Sequence, residues 1–132
     1  MSEDGLITVA SKYSVRDSLD RLEAEAKAKG LLVFARINHG AGAASVAMQL
    51  RPTEVLIFGS PKGGTPLMQS NQTIGIDLPL KMLGWQDADG KVRLAYNDPR
   101  WLARRHRLAA DLDASVDALA TLLANLAKAA AG

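Results

Sequence analysis

Two side chains in this sequence have the types needed for acid–base work. His39 follows the apolar run LLVFARI, and Asp77 sits in GIDLPLK. An imidazole ionises closer to neutral pH than any other side chain. A carboxylate within hydrogen-bond reach can orient it or exchange protons with substrate. Brought together by folding, His39 and Asp77 would serve as the acid and base of a hydrolase or isomerase. Residues able to hold a charged small molecule stand near them in the chain: Arg36 and Asn38, Lys62 and Thr65, and Lys81. In an extended segment Asp77 and Lys81 would share a face about 13 Å apart. Any partner of Asp77 must therefore come from another segment. The expected site gathers these seven residues around the ends of neighbouring strands and takes a small anionic molecule.

The stretch LIFGSPKGGTPLM, residues 56 to 68, has the look of a phosphate loop. A nucleotide loop needs its lysine directly after the last glycine, followed by Ser or Thr. Here Lys62 precedes Gly63 and Gly64, and Pro61 removes one backbone N–H from the cradle. What survives is an anion site at a helix start, with Thr65 as cap, Pro66 at the first helical position and Lys62 nearby. Arg100, Arg104, Arg105 and Arg107 surround Trp101 and His106. Successive helical residues point about 100° apart, so these form no single basic stripe, and a solvated helix end is expected. His39 and His106 are the only histidines and have no ligand spacing, so no metal site is expected. No serine lies in a G-x-S-x-G elbow. No cofactor signature is present.

The elements that must position these residues follow from periodicity. Residues 5 to 11 read as a strand. Ser14 caps a helix whose stripe is Val15, Leu19, Leu22 and Ala26, and Gly30 ends it. Strands are expected over 31 to 37 and 53 to 58, with a short helix or turn between 40 and 50. Residues 65 to 72 suit a short helix. Residues 78 to 86 and 91 to 96 make a hairpin about the turn DADG, with Pro79 at its start or on an edge. Asp98 caps a helix, and a final helix runs from about 112 to 130. Its seam, Leu112, Val116, Leu119, Leu123 and Leu126, could dock a partner or a second copy. One βα unit followed mostly by strands predicts an α+β fold: a mainly antiparallel sheet with helices on one face.

Composition sets the limits. The 132 residues form a single domain over 1–132 with room for a core. Apolar residues are 48% and charged residues 23%, ordinary for a soluble globular chain. A net charge of +2 argues against a nucleic-acid partner. The absence of cysteine removes disulfides and thiolate chemistry and suits a reducing compartment. MSEDGLITVASKY carries early acids and a short apolar run, unlike a secretory signal. No run is long enough to span a membrane. The expectation is a cytoplasmic domain without a membrane partner.

Three segments carry a resemblance: FARINHGAGA, LRPTEVLIFGSPKGGTPLM and IGIDLPLKMLGWQDADGKVRLAYNDPRWLARRH. Together they resemble the DUF302 family, a bacterial and archaeal domain of unknown function, over about residues 5 to 108. The C-terminal helix, 109 to 132, lies beyond that match. The resemblance implies a two-layer β-α-β(4)-α fold, TATA-binding-protein-like in layout, and a homodimer. It implies no catalytic mechanism. Asn38 stands where the family more often has Asp, and Ser60 where it more often has Asn.

Overall fold

The computed structural model describes residues 4–132. Five strands form one sheet: β1 (Leu6–Ser11), β2 (Leu32–Asn38), β3 (Thr53–Gly59), β4 (Leu80–Gln86) and β5 (Val92–Asn97). The order across the sheet is β1-β5-β4-β3-β2, and every neighbouring pair is antiparallel. Five α-helices accompany it: α1 (Val15–Ala28), α2 (His39–Ser45), α3 (Pro61–Ser70), α4 (Pro99–Arg105) and α5 (Asp113–Ala131). Short 3-10 segments cover Gln72–Asp77 and Ala110–Leu112. The α+β, mainly antiparallel architecture expected from the sequence is the one observed.

Register decides which side chains form the core. Leu56 opposes Met82, Met82 opposes Tyr96, and Tyr96 opposes Ile7, so all four point to one face. Side chains alternate along a strand, so Phe58, Leu80 and Leu94 join them. The helices α1 and α5 cover this face. The predicted stripe of α1 is the buried one: Val15, Leu19, Leu22 and Ala26 are all closed to solvent. Ser14 caps the helix by accepting a hydrogen bond from the Asp17 N–H. Gly30, at φ +78°, turns the chain into β2 through the left-handed region that glycine enters freely. The helix α5 buries Val116, Leu123, Leu126, Ala127 and Ala130. Three of the five seam residues, Val116, Leu123 and Leu126, are thus spent on its own domain, with Leu112 and Leu119 half-buried, which corrects the expectation of a whole seam free to dock a partner.

The glycine-rich stretch differs from the expectation. It is no loop: α3 begins at Pro61, with Ser60 extended before it. Proline suits the first helical turn because its missing N–H would be unpaired there anyway. Gly63 and Gly64 lie inside the helix, Thr65 is not its cap, and Pro66 is an interior residue. The fourth strand likewise starts at Leu80, and the residues before it wind into the 3-10 segment Gln72–Asp77. A second apolar cluster, Leu67, Ile74, Leu102 and Val116, ties α3 and this segment to α4 and α5.

Gly84 in β4 sets how closely α1 approaches the sheet. A Cβ there would stand 2.5 Å from Leu19 Cδ2 and 3.3 Å from Leu94 Cδ2. Gly84→Ala should lower stability by about 1–3 kcal/mol through overpacking, read as a reduced denaturant midpoint. An unchanged midpoint would show that α1 can shift outward freely.

Candidate functional site

The seven residues expected to converge do not meet. Asn38 pairs with Glu54 at the start of β3, while Phe58 near its end pairs with Leu80 of β4. His39 follows Asn38, and Asp77 precedes Leu80. They therefore lie at opposite ends of β3, separated by about 14 Å of strand at 3.4 Å per residue. His39 is exposed, and among the described residues its side chain has no hydrogen-bond partner. Asn38 instead caps α2, its Oδ1 accepting from the Ala41 N–H at 2.9 Å. The proposed His39–Asp77 acid–base pair is not formed.

Arg36 has a structural task. It points to the helical face, where its Nε donates to Glu54 Oε1 at 3.1 Å and its Nη1 to Asp20 Oδ1 at 2.6 Å. Nη1 also reaches Glu23, and Nη2 donates to the Arg16 carbonyl. Burial works against the charge on Arg36, but the bonds to Asp20 and Glu54 outweigh it and hold the guanidinium above its ordinary value. Lys27, assisted by Arg36, holds the Glu23 carboxyl below its usual range. Glu54 is only 8% exposed, so Arg36 neutralises a buried carboxylate under α1. Lys81 folds onto backbone, donating to the Pro79 carbonyl at 3.0 Å and reaching that of Asp77.

Lys62 and Thr65 do share a site. Both line a groove of about 530 Å³ at the strand ends beside β3 and β4, between α3 and α5. Its walls are apolar: Phe34, Met68, Leu78, Leu80, Leu119 and Leu122. Ser60 and Thr65 supply hydroxyls, and Lys62 is the one charged residue among those lining it. The early start of α3 creates this arrangement, because it turns Ser60 through Thr65 into one wall. Gly63 and Gly64 leave that wall low, and a Cβ at Gly63 would meet nothing within 4 Å. Such a groove has the size and lining of a small-molecule site.

Asp77 has a different histidine as partner. Its Oδ2 lies 2.5 Å from His106 Nε2, and both its oxygens accept from Arg105 Nη1, at 3.2 and 3.0 Å. On the other side of the ring, His106 Nδ1 lies 2.9 Å from Thr73 Oγ1. Asn71 closes the cluster, its Nδ2 donating to the His106 carbonyl at 2.6 Å and its Oδ1 accepting from the Thr73 N–H. His106 is 6% exposed, which corrects the solvated helix end expected for it. One signal in the sequence pointed there: His106 lies four residues after the buried Leu102, on the same helical stripe. No group of three or more His, Cys, Asp or Glu able to hold a metal is found among the described residues.

The family described as "Domain of unknown function DUF302" matches residues 7–126. A crystal structure of an uncharacterised conserved DUF302 protein from Bacillus stearothermophilus shares the fold, with a TM-score of 0.83 at 18% identity over 96% of this chain and 98% of that one. Proteins named "Fluoride-specific ion channel FluC 1" from Brucella suis biovar 1 and Brucella abortus biovar 1 are each 48% identical over 130 residues. These matches cover 98% of this chain but 51% and 48% of the relatives, so the chain spans about half their length. No helix among the described residues is long and apolar enough to cross a membrane.

Removing Arg36 would leave Glu54 buried without its ion-pair partner. Arg36→Met should cost about 1–3 kcal/mol of stability, and adding Glu54→Met should restore part of it. His39→Ala, at an exposed position, should stay within about 0.5 kcal/mol of the parent. Chemical denaturation of the four proteins measures both.

Proposed function

The chain belongs to the DUF302 family of domains of unknown function, and on that premise we propose that it binds a small amphipathic molecule in the groove beside α3. The observation that carries this reading is the groove's composition: apolar walls with the single cation Lys62 among its lining residues. An apolar body gains from leaving water against Phe34, Met68 and Leu122. A carboxylate or phosphate head would sit by the Lys62 ammonium and the Ser60 and Thr65 hydroxyls. The anionic ligand expected from the sequence is thereby narrowed to an amphiphile held by Lys62 and Thr65, without Arg36, Asn38, His39, Asp77 or Lys81. The channel activity in the names of the Brucella relatives belongs to proteins about twice as long and supports no channel reading here.

A second reading rests on a separate observation. The sheet face opposite α1 and α5 carries Ile37, Val55, Ile57, Leu83 and Trp85, none of them fully buried. Ile37 is 42% exposed, and exposed Val46, Met48 and Leu50 stand in the segment that joins α2 to β3. Contiguous apolar surface of this kind marks an interaction site. Its two cations are engaged, Lys81 on backbone carbonyls and Arg93 on Asp87. Two copies could therefore stack face to face about 10 Å apart, with Arg93 neutralised by Asp87 and the Lys81 ammonium held back on its own backbone. We propose a homodimer through this face.

Decanoate, titrated by calorimetry and native mass spectrometry, tests the groove. Lys62→Glu should weaken binding by about tenfold, the equivalent of one charge-assisted contact. A Cβ at Gly64 would face Leu78 at 3.5 Å and Met68 at 3.9 Å, both in the groove wall, so Gly64→Trp should fill the groove and abolish binding. Undiminished decanoate binding by a folded Gly64→Trp variant would place the ligand elsewhere. Sedimentation equilibrium tests the dimer: the parent should be dimeric at micromolar concentration and Leu83→Lys monomeric. A monomeric parent would remove the dimer reading and leave the groove untouched.

A further inference from the structure

The geometry points to a second site, separate from the groove, in which Thr73, His106 and Asp77 form a hydroxyl–imidazole–carboxylate relay and Thr73 accepts acyl groups from activated esters. Three observations carry it. The imidazole is nearly closed to solvent and held on both nitrogens, by Asp77 on the Nε2 side and Thr73 on the Nδ1 side. The carboxylate is itself fixed by Arg105, and the His106 carbonyl by Asn71, so the ring cannot swing away. The hydroxyl at the end of the relay belongs to an exposed residue and can meet a substrate from solvent.

The protonation pattern follows from the contacts. A carboxylate can only accept, so Nε2 carries the proton toward Asp77, and in the neutral ring Nδ1 is then bare and able to accept from the Thr73 hydroxyl. That is the arrangement in which an imidazole activates a hydroxyl nucleophile, and either ring nitrogen can play either part. Asn71 Oδ1 stands 3.0 Å from the same hydroxyl but is already served by the Thr73 N–H. With a second lone pair, Asn71 Oδ1 also accepts from the hydroxyl and competes with Nδ1 for its proton, so the relay acts when the hydroxyl turns toward Nδ1.

The step balances within the site and one ester. Thr73 Oγ1 attacks the ester carbonyl carbon as its proton passes to His106 Nδ1. The tetrahedral adduct collapses, the bond to the leaving oxygen breaks, and that oxygen takes the proton from Nδ1. Thr73 is left as an ester and His106 returns to its starting form. A water molecule, deprotonated by the same Nδ1, then releases the acid and restores the hydroxyl. Thr73 and His106 touch the reacting atoms; Asp77 is a positioning residue acting through His106.

Para-nitrophenyl acetate is the probe, with nitrophenolate release followed by stopped flow and the modified residue located by peptide mass spectrometry. The parent and Thr73→Ser should show an acetyl group at residue 73 and a burst of nitrophenolate. Thr73→Val, a near-isostere at an exposed position, should fold normally and show neither. His106→Gln should slow acetylation by about 10²- to 10⁴-fold, the usual contribution of a general base. Asp77→Asn should lower the rate at saturating ester while leaving the half-saturating concentration in place, which a merely structural contact would not do. Two results would overturn the assignment: no acetyl at Thr73 above the level on other exposed hydroxyls, or equal acetylation in folded His106→Gln. Neither result bears on decanoate binding in the groove.

Discussion

The structure depends on the burial of one face of an antiparallel sheet under α1 and α5. Leu56, Phe58, Met82 and Leu94 are fully closed beneath them, as are Leu19, Leu22 and Leu126 on the helices. Burying side chains of this size contributes about 1.5–3 kcal/mol each relative to exposure. Contact is close because β4 presents Gly84 beneath Leu19, so α1 can lie directly on the backbone. The charged layer at the edge obeys the same constraint. Once α1 covers β2 and β3, Glu54 is buried, and Arg36 must turn inward to meet it. A cation that could have served a ligand is instead committed to the fold.

The candidate sites occupy what this packing leaves over. At one end of the sheet α3 follows β3, and the groove lies between it and Leu119 and Leu122 of α5. The 3-10 segment Gln72–Asp77 faces two ways. Gly75 contributes to the wall of the groove, while Thr73 and Asp77 reach His106 at the end of α4. The same short segment therefore shapes an apolar site and carries the polar relay. The cluster of Asn71, Thr73, Asp77, Arg105 and His106 holds it in place, so the groove wall is set by hydrogen bonds as much as by packing.

Local order along the chain was legible because its causes are local. Ser14, the stripe of α1 and Gly30 announce one helix without reference to anything distant. The turn at Asp87–Gly90 announces the hairpin of β4 and β5. The sequence leaves the start of α3 open because Thr65-Pro66 offers a cap and first helical residue, just as Ser60-Pro61 does. Both prolines fit a first turn, and the chain takes the earlier one. The seam of α5 was visible as a repeat, but a repeat does not say whether it faces its own sheet or another chain.

By itself the sequence determined the five strands and their main helices, the α+β class, and the chemistry-bearing residue types. These rest on propensities and periodicities confined to neighbouring residues. Only the tertiary structure decided which of those residues meet. His39 and Asp77 belong to segments that strand pairing sends to opposite ends of β3. Asp77 and His106, 29 residues apart, are joined because α4 folds back over the 3-10 segment. Contacts of that kind depend on register and on how one layer closes over another, which no short stretch of chain encodes.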